Sequence, residues 1–384
     1  MKRWHQVPGA TAVRDELRQI GGLFCALGRD LSELGFDDPR ARQSTIAAFS
    51  VMLSVTIAQW LHFDEVWWAG ISGFISSQAT RPASIERGVL RVAGTAVGAA
   101  LTLAMIGWLA YDHVACCLVL GLSATVAVLG AMVSPHGYAW LFAGITANLV
   151  LLMSLNDPSA ALGFAFYRTL EVTVGTLAAV LLSLALAADD PPSATAAPSP
   201  GWSDLLGVRW PAVLHAVRCG VAVAVLPLVW SWLELPSQSQ MAVTVAAVMA
   251  VPVLSADPLH AGRIVARRAV QRVLGCGLGG AVGLACLYLS PGSYPPWLVM
   301  VLVGVWIGTF VQGSQRGVGY IGTQGTVVFI MTLIHGWGPP DSLMAGIDRF
   351  AGITLGLVIL LIVSLLIWPS KETAAAAPPV VQAP

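Results

Sequence analysis

Residues 88–110 read GVLRVAGTAVGAALTLAMIGWLA and hold one ionisable side chain, Arg91. A helix rises about 1.5 Å per residue and the hydrocarbon core of a bilayer is about 30 Å thick, so about 20 apolar residues cross it. This run is long enough. Gly94 and Gly98 stand four apart, which puts two small residues on one helix face where another backbone can come close. The stretch before it carries Arg81 and Arg87. Basic residues gather on cytoplasmic connections, so the run starts at the inner face.

The same pattern returns at 268–289, RAVQRVLGCGLGGAVGLACLYL. Arg87, Arg91, Gly94 and Gly98 recur as Arg268, Arg272, Gly275 and Gly279 at one constant offset, and Pro158, Arg168 and Gly175 recur as Pro339, Arg349 and Gly356 at that same offset. Chance does not keep one offset over so long a stretch with such residue types. The chain is therefore read as two similar halves.

Outward from these runs, apolar stretches place spans near 44–61, 66–80, 88–110, 114–133, 138–155 and 163–187, then near 212–233, 239–256, 268–289, 296–312, 319–335 and 344–368. Pro, Gly and Asp punctuate the gaps, as in Asp157-Pro158 and Pro291-Gly292. The expectation is an all-α, polytopic transmembrane helix bundle of about twelve spans in two parallel six-helix repeats. Its divisions are 1–43, an N-terminal cytoplasmic segment; 44–187, the first six-helix half; 188–209, a flexible linker rich in Pro, Ala and Ser; 210–369, the second half; and 370–384, a disordered tail. Residues 11–34 show apolar positions at helical spacing among charges, an amphipathic helix either lying on the membrane face or packed under the bundle.

Composition agrees with lipid as the main solvent. The chain has 384 residues, 56% hydrophobic and 10% charged, with mean hydropathy +0.76. Soluble domains carry about 25% charged residues. Net charge is zero, with 20 basic and 20 acidic residues, so there is no basic excess for nucleic acid. Lysine occurs only as Lys2 and Lys371, and no Gly-Lys-Ser/Thr step exists for a phosphate loop. The six cysteines show no C-x-x-C pair and read as small apolar residues. No histidine stands in a metal-binding spacing, and no nucleophile elbow or paired catalytic carboxylate is visible, so neither cofactor, metal nor enzyme chemistry is expected. With the N-terminus inside, every Lys and Arg except Arg168 and Arg349 falls on the inner side, and both termini are cytoplasmic. Tryptophans at 60, 67, 68, 108, 230, 232 and 337 fall near outer ends, as an interfacial belt would.

Arg168 and Arg349 are thus the ionisable residues that need explaining. Each sits inside the last span of its half, where an arginine costs at least about 2.5 kcal/mol by insertion scales, less near an interface. A guanidinium presents a planar fork to a carboxylate, so the pair is expected to bind a small organic anion. Glu171, on the same helix face as Arg168, and Asp348, beside Arg349, are candidate proton relays; simple ion pairing is the alternative for both. Substitution of either arginine by Gln is expected to abolish transport and leave insertion intact. Arg87, Arg91, Arg268 and Arg272 are read as an inner basic vestibule that attracts anions. His62, Asp64 and Glu65 read as a solvated outer turn.

The string Arg87-x-x-x-Arg91-x-x-Gly94-Thr95-x-x-Gly98, opening a span after a basic inner loop, resembles the fusaric acid resistance (FUSC) proteins. So does Arg168-x-x-Glu171-x-x-x-Gly175 in the last span of a six-helix unit. That group is similar to the aromatic acid exporters and, more remotely, to plant malate channels. The resemblance covers 44–187 and, more weakly, 210–369. It implies a bacterial inner-membrane transporter that exports weak organic or aromatic acids, with the proton gradient as a driving force and an envelope efflux partner or a homo-oligomer completing the path. Many relatives carry a large soluble domain after a six-helix unit, and neither 188–209 nor 370–384 has room for one, which puts partner coupling in doubt. A passive anion channel and a membrane scaffold without a solute are the alternatives.

Overall fold

A computed structural model describes residues 8–109, 112–155, 157–189, 210–233, 238–250, 258–289, 293–336 and 344–367. Most of the expected linker and all of the expected tail (370–384) lie outside these residues, as does Trp337. The first residues of the expected linker are placed: the Arg81 amide donates to the Ala188 carbonyl, and the Arg81 guanidinium pairs with Asp189 at 2.7 Å.

The described residues are helical: α1 (Pro8–Ser32), α2 (Pro39–Trp60), α3 (Val66–Ser76), α4 (Arg81–Leu109), α5 (His113–Val133), α6 (Gly137–Ser154) and α7 (Ala161–Leu186), then α8 (Trp210–Ala224), α9 (Leu226–Leu233), α10 (Gln238–Met249), α11 (Pro258–Leu289), α12 (Tyr294–Gln312), α13 (Gly319–Leu333) and α14 (Met344–Leu366). Caps set several starts. Asp38 accepts from the Arg40 amide ahead of Pro39, and Asp112 accepts from the amides of Val114 and Ala115. Pro227 supplies no amide to the helical ladder, and the run expected at 212–233 divides into α8 and α9 beside it.

Among the described residues, eight helices are long and apolar enough to cross a membrane. The segments expected at 44–61, 66–80, 239–256 and 319–335 are not among them. At 11 and 12 residues, α3 and α10 reach only about 16–18 Å, roughly half a bilayer core. Burial is what permits such a helix at membrane depth: every residue of α3 except Ile75 is buried in protein. The longer helices show lipid-type faces instead, as in the exposed row Val114, Leu118 and Leu122 on α5.

Packing is reciprocal. Helix α4 lies on α6, and α11 on α13; α3 lies on α7, and α10 on α14; α5 packs on α8, and α12 on α2. The last two contacts join the parts of the chain before and after residues 190–209. The two largest apolar cores among the described residues each draw on both parts: one on α5, α8, α10 and α14, the other on α2, α3, α12 and α13. Glycine sets the closest approaches. A Cβ on Gly98 would stand 2.2 Å from the Ala143 carbonyl oxygen, and one on Gly279 would stand 2.0 Å from that of Gly325. The Arg42 Nε donates to the Leu186 carbonyl at 2.9 Å, and Arg218 donates to Ile367 at 2.7 Å, so each part caps the end of its last helix with an arginine of its first.

Helix α1 is packed under the bundle. Leu23, Ala26 and Leu27 meet Val270, Leu274, Val311, Val318 and Ile321, while Phe24 and Leu31 face outward. Asp30 is fully buried and pairs with Arg40 at 3.0 Å and Arg316 at 2.6 Å; Glu33 pairs with Arg316 at 2.7 Å. Burial alone would raise the Asp30 carboxyl, but hydrogen bonds from Ser314, Arg40 and Arg316 outweigh it and hold it below the usual range.

Candidate anion site

The site begins with a contact between α3 and α7. A Cβ on Gly175 would lie 2.1 Å from the Ala69 carbonyl oxygen, so the two backbones touch there. Two turns back along α7, on the same buried stripe, stands Arg168. It therefore reaches α3 one residue before Ala69, and its guanidinium carbon sits 3.0 Å from the centre of the Trp68 ring. The Trp68 ring stacks on that of Trp67, with centroids 4.0 Å apart at 29°. On the other side Arg349, from α14, lies 4.7 Å from the Trp67 ring centre. Both distances are within cation–π range. The two repeat-equivalent arginines thus flank one indole pair.

Their partners differ. Arg168 is 7% exposed, and its Nε and Nη1 have no hydrogen-bond partner. Glu171 stands 3.9 Å from Nη1, well beyond the 2.7–2.9 Å of a charge-assisted hydrogen bond. Arg349 is better satisfied, donating to the Met331 carbonyl and contacting His335 Nε2 at 3.5 Å. Only Arg168 of the two lines a cavity of about 330 Å³, together with Glu171, Glu65, Trp68, Phe164 and Tyr167. That volume is at the small end of ligand pockets. Asp348 is half-buried and lies outside the cavity lining.

The four inner arginines occupy equivalent places. Arg87 stacks on Tyr138 at 4.7 Å and Arg268 on Tyr320 at 4.0 Å. Arg91 donates to Tyr138 Oη and Ser72 Oγ at 3.3 and 3.2 Å; Arg272 donates to Gln324 Oε1 and Thr244 Oγ1 at 2.5 and 3.1 Å. Arg91 and Arg272 are buried, at 1% and 5% exposure, rather than open to an aqueous mouth. Among the described residues none of these four closes an ion pair with a carboxylate. Arg168 meets α3 at Trp68 and Arg91 meets it at Ser72, one turn further in; beyond the helix end Arg87 donates to Gln78 at 3.3 Å. The result is a file of cations along one short helix.

Three residues depart from the reading of the sequence. Trp67 and Trp68 are buried and belong to the site, not to a lipid-facing belt; of the described tryptophans expected in that belt, Trp60, Trp108 and Trp232 are exposed. Glu65 is half-buried in the cavity wall, whereas Asp64 and His62 are exposed. Burial raises the Glu65 carboxyl above its usual range, while Arg349 and Arg168 and the side chains of Trp67 and Trp68 pull the other way. A carboxylate immediately before a Val-Trp-Trp helix start was the available sign, since the positive end of a helix attracts negative charge.

The family model described as "Fusaric acid resistance protein family" matches residues 40–199, and the one described as "Fusaric acid resistance protein-like" matches residues 248–363. The first match spans α2–α7, and the second runs from the end of α10 through most of α14. No curated protein and no solved structure matches the chain.

Proposed function

We propose, for a chain that belongs to the fusaric acid resistance protein family, that it is a multi-pass membrane transporter exporting small organic anions across a bacterial inner membrane. One observation carries the substrate class. Arg168 lines a cavity walled by Trp68, Phe164 and Tyr167, and among the described residues two of its buried nitrogens have no hydrogen-bond partner. A buried cation with unused donors is costly to maintain. A small turn of the guanidinium toward the cavity lets an entering carboxylate satisfy those donors, and the aromatic walls receive an apolar or aromatic body.

The path is the file Arg168, Arg91, Arg87 along α3, with Arg349, Arg272 and Arg268 as its counterpart in the second half. The reciprocal helix contacts support two parallel six-helix units, in which α3 and α10 are half-length members buried between longer spans. The cytoplasmic side is the one that carries α1, Arg81 and the 313–318 connection. Glu171 is the acid best placed to link proton movement to Arg168.

The absence, among the described residues, of carboxylate partners along the inner arginines favours a second reading, a passive anion channel. Flux that persists in a protonophore supports the channel; flux that collapses supports proton-driven export. A deletion strain screened against a panel of aromatic acids, with intracellular accumulation measured, tests the function itself. Export predicts higher accumulation of at least one acid in the deletion strain. Equal accumulation across the panel contradicts it.

A further inference from the structure

Glu65 is a resident anion beside a site built for one. It occupies the N-cap position of α3 yet does not cap its own helix with its side chain. It lines the same cavity as Arg168, and directly after it come the stacked rings of Trp67 and Trp68, with Arg168 on one and Arg349 on the other. The carboxylate therefore stands within the field of both cations while closing no ion pair within 4 Å with either among the described residues. We propose that Glu65 is a tethered competitor for the two arginines, one that weakens the hold of the outer site on a solute anion so that the anion leaves.

This rests on the anion cavity proposed above. The logic is electrostatic. A charged Glu65 neutralises part of the field of Arg168 and Arg349, and a solute carboxylate then gains less on binding. A neutral Glu65 leaves both cations to the solute. A transport site must bind well enough to admit an ion and loosely enough to release it, and a tethered carboxylate at the outer end supplies the second requirement.

The charged and titratable groups facing Glu65 are Arg168 and Glu171 from α7, Arg349 from α14, His335 at the end of α13, and Asp64 in its own connection. Burial and Arg349 hold His335 below the usual histidine range. Burial places the Glu65 carboxyl above the usual range, so it gains its proton at a pH where exposed carboxylates are still charged. Affinity for a solute anion accordingly rises as pH falls, and by reciprocity a bound anion raises the proton affinity of Glu65 by the same factor.

The test is titration of the full-length protein in lipid nanodiscs with benzenesulfonate, which stays an anion throughout, at pH 5 and pH 7.5. Wild type is expected to bind about tenfold more tightly at pH 5, the equivalent of one pKa unit of coupling. Glu65→Gln is expected to bind at both pH values as tightly as wild type does in acid. Glu65→Asp, which keeps the charge, retains a pH slope, and His335→Gln keeps the wild-type slope. Glu65→Gln with an unchanged slope, or with weaker binding at both pH values, overturns the competition while leaving the cavity standing, provided Arg168→Gln loses the probe. A probe that binds Arg168→Gln as well as wild type overturns the cavity itself, and the competition with it.

Discussion

Arg168 and Arg349 occupy equivalent positions in the repeat, and their side chains are satisfied to different degrees. Arg349 donates to the Met331 carbonyl and touches His335, whereas Arg168 lines the cavity and has two buried nitrogens with no partner among the described residues. Their substitutions should diverge accordingly. Arg168→Gln removes a charge-assisted contact to the solute, worth about 1.5–3 kcal/mol, so solute affinity falls roughly ten- to a hundredfold while thermal stability is kept or raised. Arg349→Gln strands a carbonyl and a ring face, and its first effect is a lower melting temperature. Binding titrations and melting curves of the two variants in detergent separate these effects. Trp68→Ala should cost a few-fold in affinity, since cation–π contacts are worth about 0.5–2 kcal/mol, and Trp68→Phe should recover part of it. The arginines were legible in the sequence because an ionisable residue in an apolar run has few explanations. Glu65 was not, because a carboxylate in a short connection reads as solvated until the fold shows that Arg168, Arg349 and two indoles surround it.

At the scale of elements, α3 is the piece the sequence misjudged. Its apolar residues merge with those that follow, and hydropathy cannot distinguish a helix that faces lipid from one buried on all sides. The glycine faces were read correctly, because close approach leaves a mark at fixed spacing. Gly98→Ala should destabilise the protein by about 1–3 kcal/mol, since the new Cβ would collide with the Ala143 carbonyl. Gly107→Ala, on the same helix with nothing within 4 Å, should instead stabilise it by about 0.5–1 kcal/mol. Thermal melting of the two variants gives opposite signs if the close crossing of α4 and α6 is real. Helix α1 makes a different prediction. The folded-state carboxyl of Asp30 is depressed, so its contribution to docking is complete above the ordinary aspartate range and is lost as pH falls through the depressed value. Hydrogen exchange of residues 20–32 should stay slow in mild acid and quicken only in strong acid, while Asp30→Asn should show fast exchange at neutral pH. Equal exchange in the two proteins would mean that the ion pairs do not hold α1.

For the whole molecule, the constant offset between the halves was visible in the sequence, but their interlocking was not. Repeats can sit side by side or exchange helices, and identical spacing serves both arrangements. Here α5 packs on α8 and α12 on α2, so the two largest apolar cores draw on both parts of the chain. Arg168 and Arg349 meet the same indole pair for that reason. An anion held at Arg168 is therefore positioned to act on both parts at once, which is what a carrier alternating between two states requires. The most direct measurement is efflux of labelled benzenesulfonate from proteoliposomes holding the purified full-length chain, because that anion does not cross lipid unaided. Protein-dependent efflux is expected, and it should fall at least about tenfold in Arg168→Gln. Efflux from the Arg168→Gln vesicles at the wild-type rate would contradict it, as would wild-type vesicles that release no more than empty ones.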